Sequence, residues 1–334
     1  MSDAPNEIVT AALDAVASGR DLDADGAAAV LAEIMRGDVS HTQTAGFLIA
    51  LRTKGETVEE LAGLARTMRE FAVAVRASAP GLLDTAGTGG GASSFNVSTT
   101  AALIAAGAGC PVAKHGNRSA TSLSGSADVL EALGGRIDLG PDEVARCIDE
   151  VGFGFIFAPA HHQATRHVIG VRRELGVRTV FNLLGPLTNP AGATRQLVGV
   201  SDAGHLETIA GALVLLGVER ALVVAGEDGL DEISAAAPTR IVEVAHGALH
   251  AYTVTPAQLG IAGAGAGPHG GTPQENAAVT RAILAGEHGP HRELALANAG
   301  AAIYAAGAAG TLAQGVDGGR AAALLERWVE ATRA

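Results

Sequence analysis

Apolar positions recur at helical spacing from the start of the chain. Ile8, Ala12, Leu13 and Val16 form one such stripe, and Val30, Leu31, Ile34 and Met35 a second. Phe47, Leu48 and Leu51 follow, then Leu61, Leu64, Met68 and Phe71. Ser40 and Thr57 stand ahead of two of these stripes as N-cap residues. No alternating pattern interrupts residues 6–75, which read as roughly four or five helices. The Ala-Ser-Ala-Pro-Gly run at 77–81 reads as a linker.

Beyond it the pattern alternates. Strands are predicted at 82–85, 111–113, 153–157, 196–200 and 221–224, with helices at 99–108, 124–133, 144–151 and 206–216. Such alternation predicts a largely parallel sheet covered by helices. Two strand-like runs, 240–244 and 248–254, flank Ala245-His246-Gly247 and predict a late hairpin. The Gly-rich run 260–271 reads as a flexible surface loop, and the tail from 274 onward is helical again. No internal repeat is visible. The predicted fold class is α/β: a small helical N-terminal domain beside a larger α/β domain with a largely parallel central sheet. A length of 334 residues agrees with two domains.

The formal net charge of −12 argues against a general nucleic-acid binder, which needs clustered cations. It also means that an anionic ligand is held by local groups and not by the overall field. Cys110 and Cys147 lack CxxC spacing and read as buried reduced thiols. The N-terminus has no signal-peptide pattern, and the apolar stretches at 101–108 and 151–160 are too short or too broken to span a membrane. A soluble cytoplasmic protein with no membrane partner is expected.

Against this background two segments carry chemistry. Asp84-Thr85-Ala86-Gly87-Thr88-Gly89-Gly90-Gly91 runs into Asn96-Val97-Ser98-Thr99, at the head of an apolar helix. Lys114-His115-Gly116-Asn117-Arg118-Ser119 is closed by Ser124-Gly125-Ser126-Ala127-Asp128. Bare glycine backbone, hydroxyls and fixed cations ahead of helices suit phosphate groups. A glycine-rich turn alone is also simply a tight turn, whereas Lys114 and Arg118 beside an amide have no obvious packing use. A third segment, Glu227-Asp228-Gly229-Leu230-Asp231-Glu232, follows the apolar strand at 221–225. Acidic turns are often only solvated, but hard oxygen ligands at a strand end suit Mg²⁺ that also binds phosphate. Arg172 and Arg173 read either as carboxylate-binding groups or as a surface pair bridged to Glu174. His161, His162 and His167 lack the i, i+4 spacing of a helical metal pair, and His115 reads as shaping the pocket.

In this order the segments resemble the anthranilate phosphoribosyltransferase family over nearly the whole chain. The Lys-His-Gly-Asn-Arg segment, the Ser-Gly-Ser-Ala-Asp run, the Phe-Asn-Leu-Leu-Gly-Pro-Leu-Thr-Asn-Pro block at 181–190 and the Asp231-Glu232 pair carry the resemblance. It implies transfer of the 5-phosphoribosyl group from phosphoribosyl pyrophosphate to anthranilate, a step of tryptophan biosynthesis. It implies phosphoribosyl pyrophosphate binding by Gly87, Gly90, Gly91, Ser94, Asn96, Val97, Ser98 and Thr99 in the first loop. In the second loop it implies Lys114, His115, Gly116, Asn117, Arg118, Ser119, Ala120, Thr121, Ser122 and Ser126. Lys114 and Arg118 would stabilise the leaving pyrophosphate. Ser98, Asp231 and Glu232 would serve Mg²⁺, and Gly87, Asn117 and Arg172 would contact anthranilate. The implied domains are 1–78, joined by part of 165–190, and 79–334, in a homodimer formed through the helical domain. Two departures stand out: Gly91 where the family often has Asp, in a loop one residue short, and His161-His162 where the family has His-Pro. The rival readings are a pyrimidine nucleoside phosphorylase, which needs neither Asp231-Glu232 nor Arg172, and a non-catalytic nucleic-acid-binding relative, which the acidic balance disfavours.

Overall fold

The N-terminal helices are α1 (Glu7–Ala17), α2 (Ala24–Arg36), α3 (His41–Lys54) and α4 (Val58–Glu70) in a computed structural model that describes residues 4–92, 94–119, 122–261, 269–314 and 319–333. Ser40 caps α3 by accepting from Gln43 N–H, and Thr57 and Glu60 form a reciprocal capping box on α4. The chain then runs β1 (Leu83–Asp84), α5 (Val97–Gly107), β2 (Val112–Gly116), α6 (Ser126–Ala132), α7 (Pro141–Val151) and β3 (Phe153–Phe157). Next come α8 (Ala158–His161), α9 (Arg166–Leu175), α10 (Phe181–Leu184), β4 (Arg195–Gly199), α11 (Leu206–Leu215) and β5 (Arg220–Gly226). The hairpin β6 (Thr239–Ala245) and β7 (Ala248–Val254) precedes α12 (Pro273–Leu284), α13 (Pro290–Ala305) and α14 (Gly319–Ala331). Most of the Gly-rich run predicted as a loop, residues 262–268, lies outside the described residues.

The strands form one sheet in the order β3-β2-β1-β4-β5-β6-β7. Pairing is parallel from β3 through β5, and the late hairpin adds two antiparallel strands at the edge. The sheet divides two cores. Leu222 and Val224 of β5 face a core with α5 and α13, while Ala221, Val223 and Ala225 face a core with α11 and the N-terminal helices. That split is the period-two alternation of a strand. Helix α5 is buried nearly all round, as its apolar, alanine-rich sequence requires.

Several elements differ from the sequence reading, β2 and α9 most of all. Strand β2 runs on through Gly116, so Lys114 and His115 are strand residues rather than the start of a loop. They pair with Phe155 and Ile156 of β3, and the His115 N–H donates to Asp84 Oδ1 at 3.1 Å. Polar side chains there interrupt the apolar pattern without interrupting the ladder. Helix α9 is absent from the sequence reading, because its charged residues obscure a narrow apolar stripe. Val168 and Val171 from α9, with Val180 and Phe181 beyond it, belong to the core of the N-terminal helices.

Candidate active site

The carboxyl ends of β1, β2 and β5 converge, which is where open α/β sheets bind ligands. After β1 the glycine loop is fastened from several sides. The Thr88 N–H donates to Gly199 O at 2.8 Å, and the Ala92 N–H donates to Gly229 O at 2.8 Å. Arg178 Nη1 donates to Gly89 O at 2.9 Å and Nη2 to Thr88 O at 3.3 Å. Gly89 and Gly90 take φ of 61° and 88°, a region that favours glycine. A Cβ on Gly87 would stand 2.8 Å from Gly199 O. A Cβ on Gly91 would stand 2.5 Å from Asp231 Oδ1, so a side chain at 91 would press on the acidic pair. The absence of the family's Asp at this position is therefore matched by a lack of room, a constraint that the sequence does not reveal.

At the acidic turn after β5, Glu232 Oε1 accepts from Ser94 Oγ at 2.9 Å, whereas Glu232 Oε2 is buried with no partner among the described residues. Burial pushes the Glu232 carboxyl up to about 8, the neighbouring Asp231 adds to this, and the Ser94 hydrogen bond opposes it. Burial raises the Asp231 pKa as well, against the pull of Arg178 and the Gly89 N–H. Asn298 on α13 steadies the turn by accepting from Ile233 N–H at 2.9 Å and donating to Ile233 O at 3.0 Å. No group of three or more His, Cys, Asp or Glu side chains suited to a metal exists among the described residues. Two adjacent carboxylates with an unpartnered oxygen fit a cation that takes its remaining ligands from phosphate and water.

Ser98 and Thr99 open α5, where no side chain caps the helix among the described residues. Thr99 Oγ1 is buried without a partner among the described residues. The Ser98 carbonyl accepts from Thr85 Oγ1 at 2.9 Å. Asn96 is occupied by the protein: its Oδ1 accepts from Ser124 Oγ and Asn276 Nδ2, and its Nδ2 donates to Ser124 O. It ties the two loops and α12 together.

The second loop holds itself. Asp128 Oδ2 accepts from Ser119 N–H at 3.1 Å and Gly125 N–H at 2.8 Å. Ser119 Oγ meets Ser122, Ser126 Oγ bridges Asn117 N–H and O, and Asn117 Oδ1 accepts from Arg118 N–H. Gly116 leaves room for Ser126 Oγ and the Phe155 ring. Ala120 and Thr121 lie outside the described residues. The two cations of this motif differ. Lys114 is 1% exposed, and its Nζ donates to Thr85 Oγ1 at 3.0 Å. Burial pulls its pKa down to about 8, opposed by Asp84. Arg118 is half exposed and is not the free cation that the sequence suggests. It pairs with Glu131 at 2.6 Å and Asp128 at 2.9 Å, which raise its pKa.

Beneath Lys114, Asp84 is fully buried. It accepts from Thr85 N–H, His115 N–H and Asn189 Nδ2, and burial raises its pKa. His115 Nδ1 contacts Gly185 O at 3.2 Å, and its ring lies 5.1 Å from that of His162. Both rings are buried, and their Nε2 atoms have no partner among the described residues. Burial lowers them to about 4 and about 3, so both are neutral at neutral pH. His161 instead contacts Val73 O through Nδ1.

Arg172, on the last turn of α9, is half-buried with its guanidinium over the Phe181 ring at 5.1 Å. No ion pair with Glu174 forms among the described residues, and burial lowers its pKa. Arg178, Asp84, Asn189 and Asn298 are not among the site residues expected from sequence. Asp84 and Asn189 do lie inside quoted motifs, but nothing local marks Arg178 or Asn298.

The chain is similar to known proteins over most of its length. Residues 79–326 match the model described as the glycosyl transferase family, a/b domain, and residues 10–72 match its helical bundle domain. An anthranilate phosphoribosyltransferase of Symbiobacterium thermophilum is 53% identical, with 96% of this chain and 97% of that protein covered. The crystal structure of the Thermus thermophilus enzyme of that name superposes with a TM-score of 0.90 at 46% identity, covering 97% of this chain and 99% of that one. The Saccharomyces cerevisiae enzyme in complex with PRPP and Mg superposes with a TM-score of 0.84 at 26% identity, covering 97% and 98%. The glycine loop, the acidic turn and the Lys114 strand thus stand in a chain that belongs to the anthranilate phosphoribosyltransferase family.

Proposed function

We infer that these residues divide the work of one reaction. The 5-phosphoribosyl group passes from phosphoribosyl pyrophosphate to the amine of anthranilate, giving N-(5-phosphoribosyl)-anthranilate and pyrophosphate. The observation that carries this reading is the buried Glu232 carboxylate oxygen, without a partner among the described residues, beside an Asp231 that adjoins the glycine loop at Gly91. Magnesium at this pair, with Ser98 nearby in the family pattern, would neutralise charge on the leaving group.

The aromatic amine of anthranilate is already a usable nucleophile, so the difficult step is departure of pyrophosphate from the ribose C1. Backbone amides of the glycine loop and of the first turn of α5 bind the phosphates. Lys114, below the loop on Thr85, supplies fixed positive charge, and its pKa of about 8 keeps most of it protonated at neutral pH. A preorganised donor of this kind is typically worth about 3 kcal/mol. Arg118 has its charge matched by Glu131 and Asp128, so its main contribution is to order the second loop. Arg172 takes the anthranilate carboxylate, supported by its lack of an acidic partner among the described residues and its seat on Phe181. The family pattern assigns Gly87 and Asn117 to anthranilate as well. Holding the two substrates in line supplies the remaining rate enhancement.

The reading includes a homodimer joined through the helical domain, supported by the exposed apolar side chains Ile8 on α1 and Ile169 on α9. It assigns residues 1–78 and part of 165–190 to that domain, supported by their shared core. It also puts the enzyme in the cytoplasm, in keeping with two free buried cysteines. No described helix is long and apolar enough to cross a membrane. The test is anthranilate fluorescence: it should decay only with phosphoribosyl pyrophosphate and Mg²⁺ both present. A steady signal under those conditions would overturn the assignment.

A further inference from the structure

We propose that Arg178 is a positioning residue for the phosphoribosyl pyrophosphate site, acting through the carbonyls of Thr88 and Gly89 to aim the loop amides. The proposal rests on the function inferred above. Arg178 lies beyond α9, two residues after the left-handed Gly176 that ends that helix, and six residues after Arg172. Its guanidinium spans two successive loop carbonyls, at 2.9 Å and 3.3 Å, with one nitrogen on each. A trans peptide sets each carbonyl antiparallel to the next N–H. Drawing the Thr88 and Gly89 carbonyls toward Arg178 therefore turns the Gly89 and Gly90 N–H groups away from it. The first is near enough to the Asp231 carboxylate to lower its pKa. The second has no protein partner among the described residues and is left for a ligand.

The neighbourhood is built around this clamp. Gly90 has φ of 88°, and a Cβ there would overlap Arg178 Nη1. The Arg178 backbone carbonyl accepts from Arg52 Nη1 on α3 at 2.8 Å, which anchors the clamp to the helical domain. A flexible loop of four glycines in five residues, 87–91, carries little order of its own. A planar fork that fixes two carbonyls supplies it, and a lysine, with a single ammonium, does not reproduce that geometry.

The experiment compares Arg178→Ala and Arg178→Lys with the wild-type chain. Binding of phosphoribosyl pyrophosphate with Mg²⁺ is measured by calorimetry without anthranilate, and KM for each substrate is measured in turnover. The expected result is roughly a tenfold loss of phosphoribosyl pyrophosphate affinity in Arg178→Ala, the scale of a charged hydrogen bond. KM for anthranilate and the melting temperature should stay near wild type, and Arg178→Lys should recover only part of the loss. Unchanged affinity in Arg178→Ala overturns the proposal, as does an equal rise in both KM values. Full recovery in Arg178→Lys also overturns it, since charge beside Asp231 would then suffice. A wild-type chain that binds phosphoribosyl pyrophosphate but leaves anthranilate unchanged overturns the assigned reaction instead, and the calorimetry still judges Arg178.

Discussion

The two phosphate loops are built in opposite ways. The loop after β1 is fastened by groups between 89 and 138 residues away along the chain: Arg178, Gly199, Gly229 and Glu232. The loop after β2 is fastened within itself, with Asp128 and Glu131 no more than 13 residues from the groups they hold. Asn96 to Ser124 is the seam between them. A loop that borrows its order from the rest of the fold responds to distant change, whereas one that carries its own order responds locally. The remote fastenings also bring the acidic turn to the glycine loop.

Removing the acidic pair, which the remote fastenings bring to the glycine loop, should cost most. Asp231→Asn with Glu232→Gln should lower turnover at saturating substrates by about 10³-fold while the far-ultraviolet spectrum is retained. Wild-type turnover in that variant would remove magnesium from the pair. Arg172→Ala touches neither loop, and it should raise KM for anthranilate by about 30- to 150-fold, the worth of a charged hydrogen bond of about 2–3 kcal/mol. Equal rises in both KM values would mean that Arg172 also supports the loops. Asp128→Ala unfastens the second loop alone. It should cost about 1–3 kcal/mol of stability in denaturant titration and weaken phosphoribosyl pyrophosphate but not anthranilate. An unchanged midpoint would show that the loop does not depend on its own carboxylate.

The smallest effect concerns pH. The Glu232 pKa is raised from 4.5 to about 8, so its contribution to stability is full below about pH 4.5 and is lost as pH rises through about 8. A cation at the pair offsets that loss only where the carboxylate is ionised. Mg²⁺ should therefore raise the melting temperature more at about pH 9 than at about pH 6.5. Equal shifts at both values would place the ion elsewhere.

Much of the fold is legible from local pattern. The N-terminal helices follow from apolar spacing with Ser40 and Thr57 as caps, and the hairpin follows from two strand-like runs about His246-Gly247. What escapes is set by distance or by burial of polar groups. Lys114 and His115 look like loop residues because polar side chains seldom continue a buried strand, yet the Asp84 carboxylate and the β3 ladder hold them there. The site motifs are visible as residue types, but their partners are not. Arg118 reads as a free cation until α6 brings Glu131 to it, and Gly91 reads as a phosphate-facing position until Asp231 is seen beneath it. Arg178 has no local signature, since its partners, Gly89 and Thr88, lie 89 and 90 residues before it in the chain.

The division of the sheet between two cores bears on how the gene could be cut. Val223 and Val242 share their side of the sheet with α11, and that layer is covered in turn by Leu61, Leu64 and Met68 of α4. A polypeptide starting at residue 79 would retain every strand, yet it would be born with an oily wall open to water. The helical segment is thus a lid on the second core as well as a neighbour of the ligand cleft. Split-protein designs should keep the two pieces together during synthesis, and screens for soluble fragments should expect the larger piece to need the smaller one in the same cell.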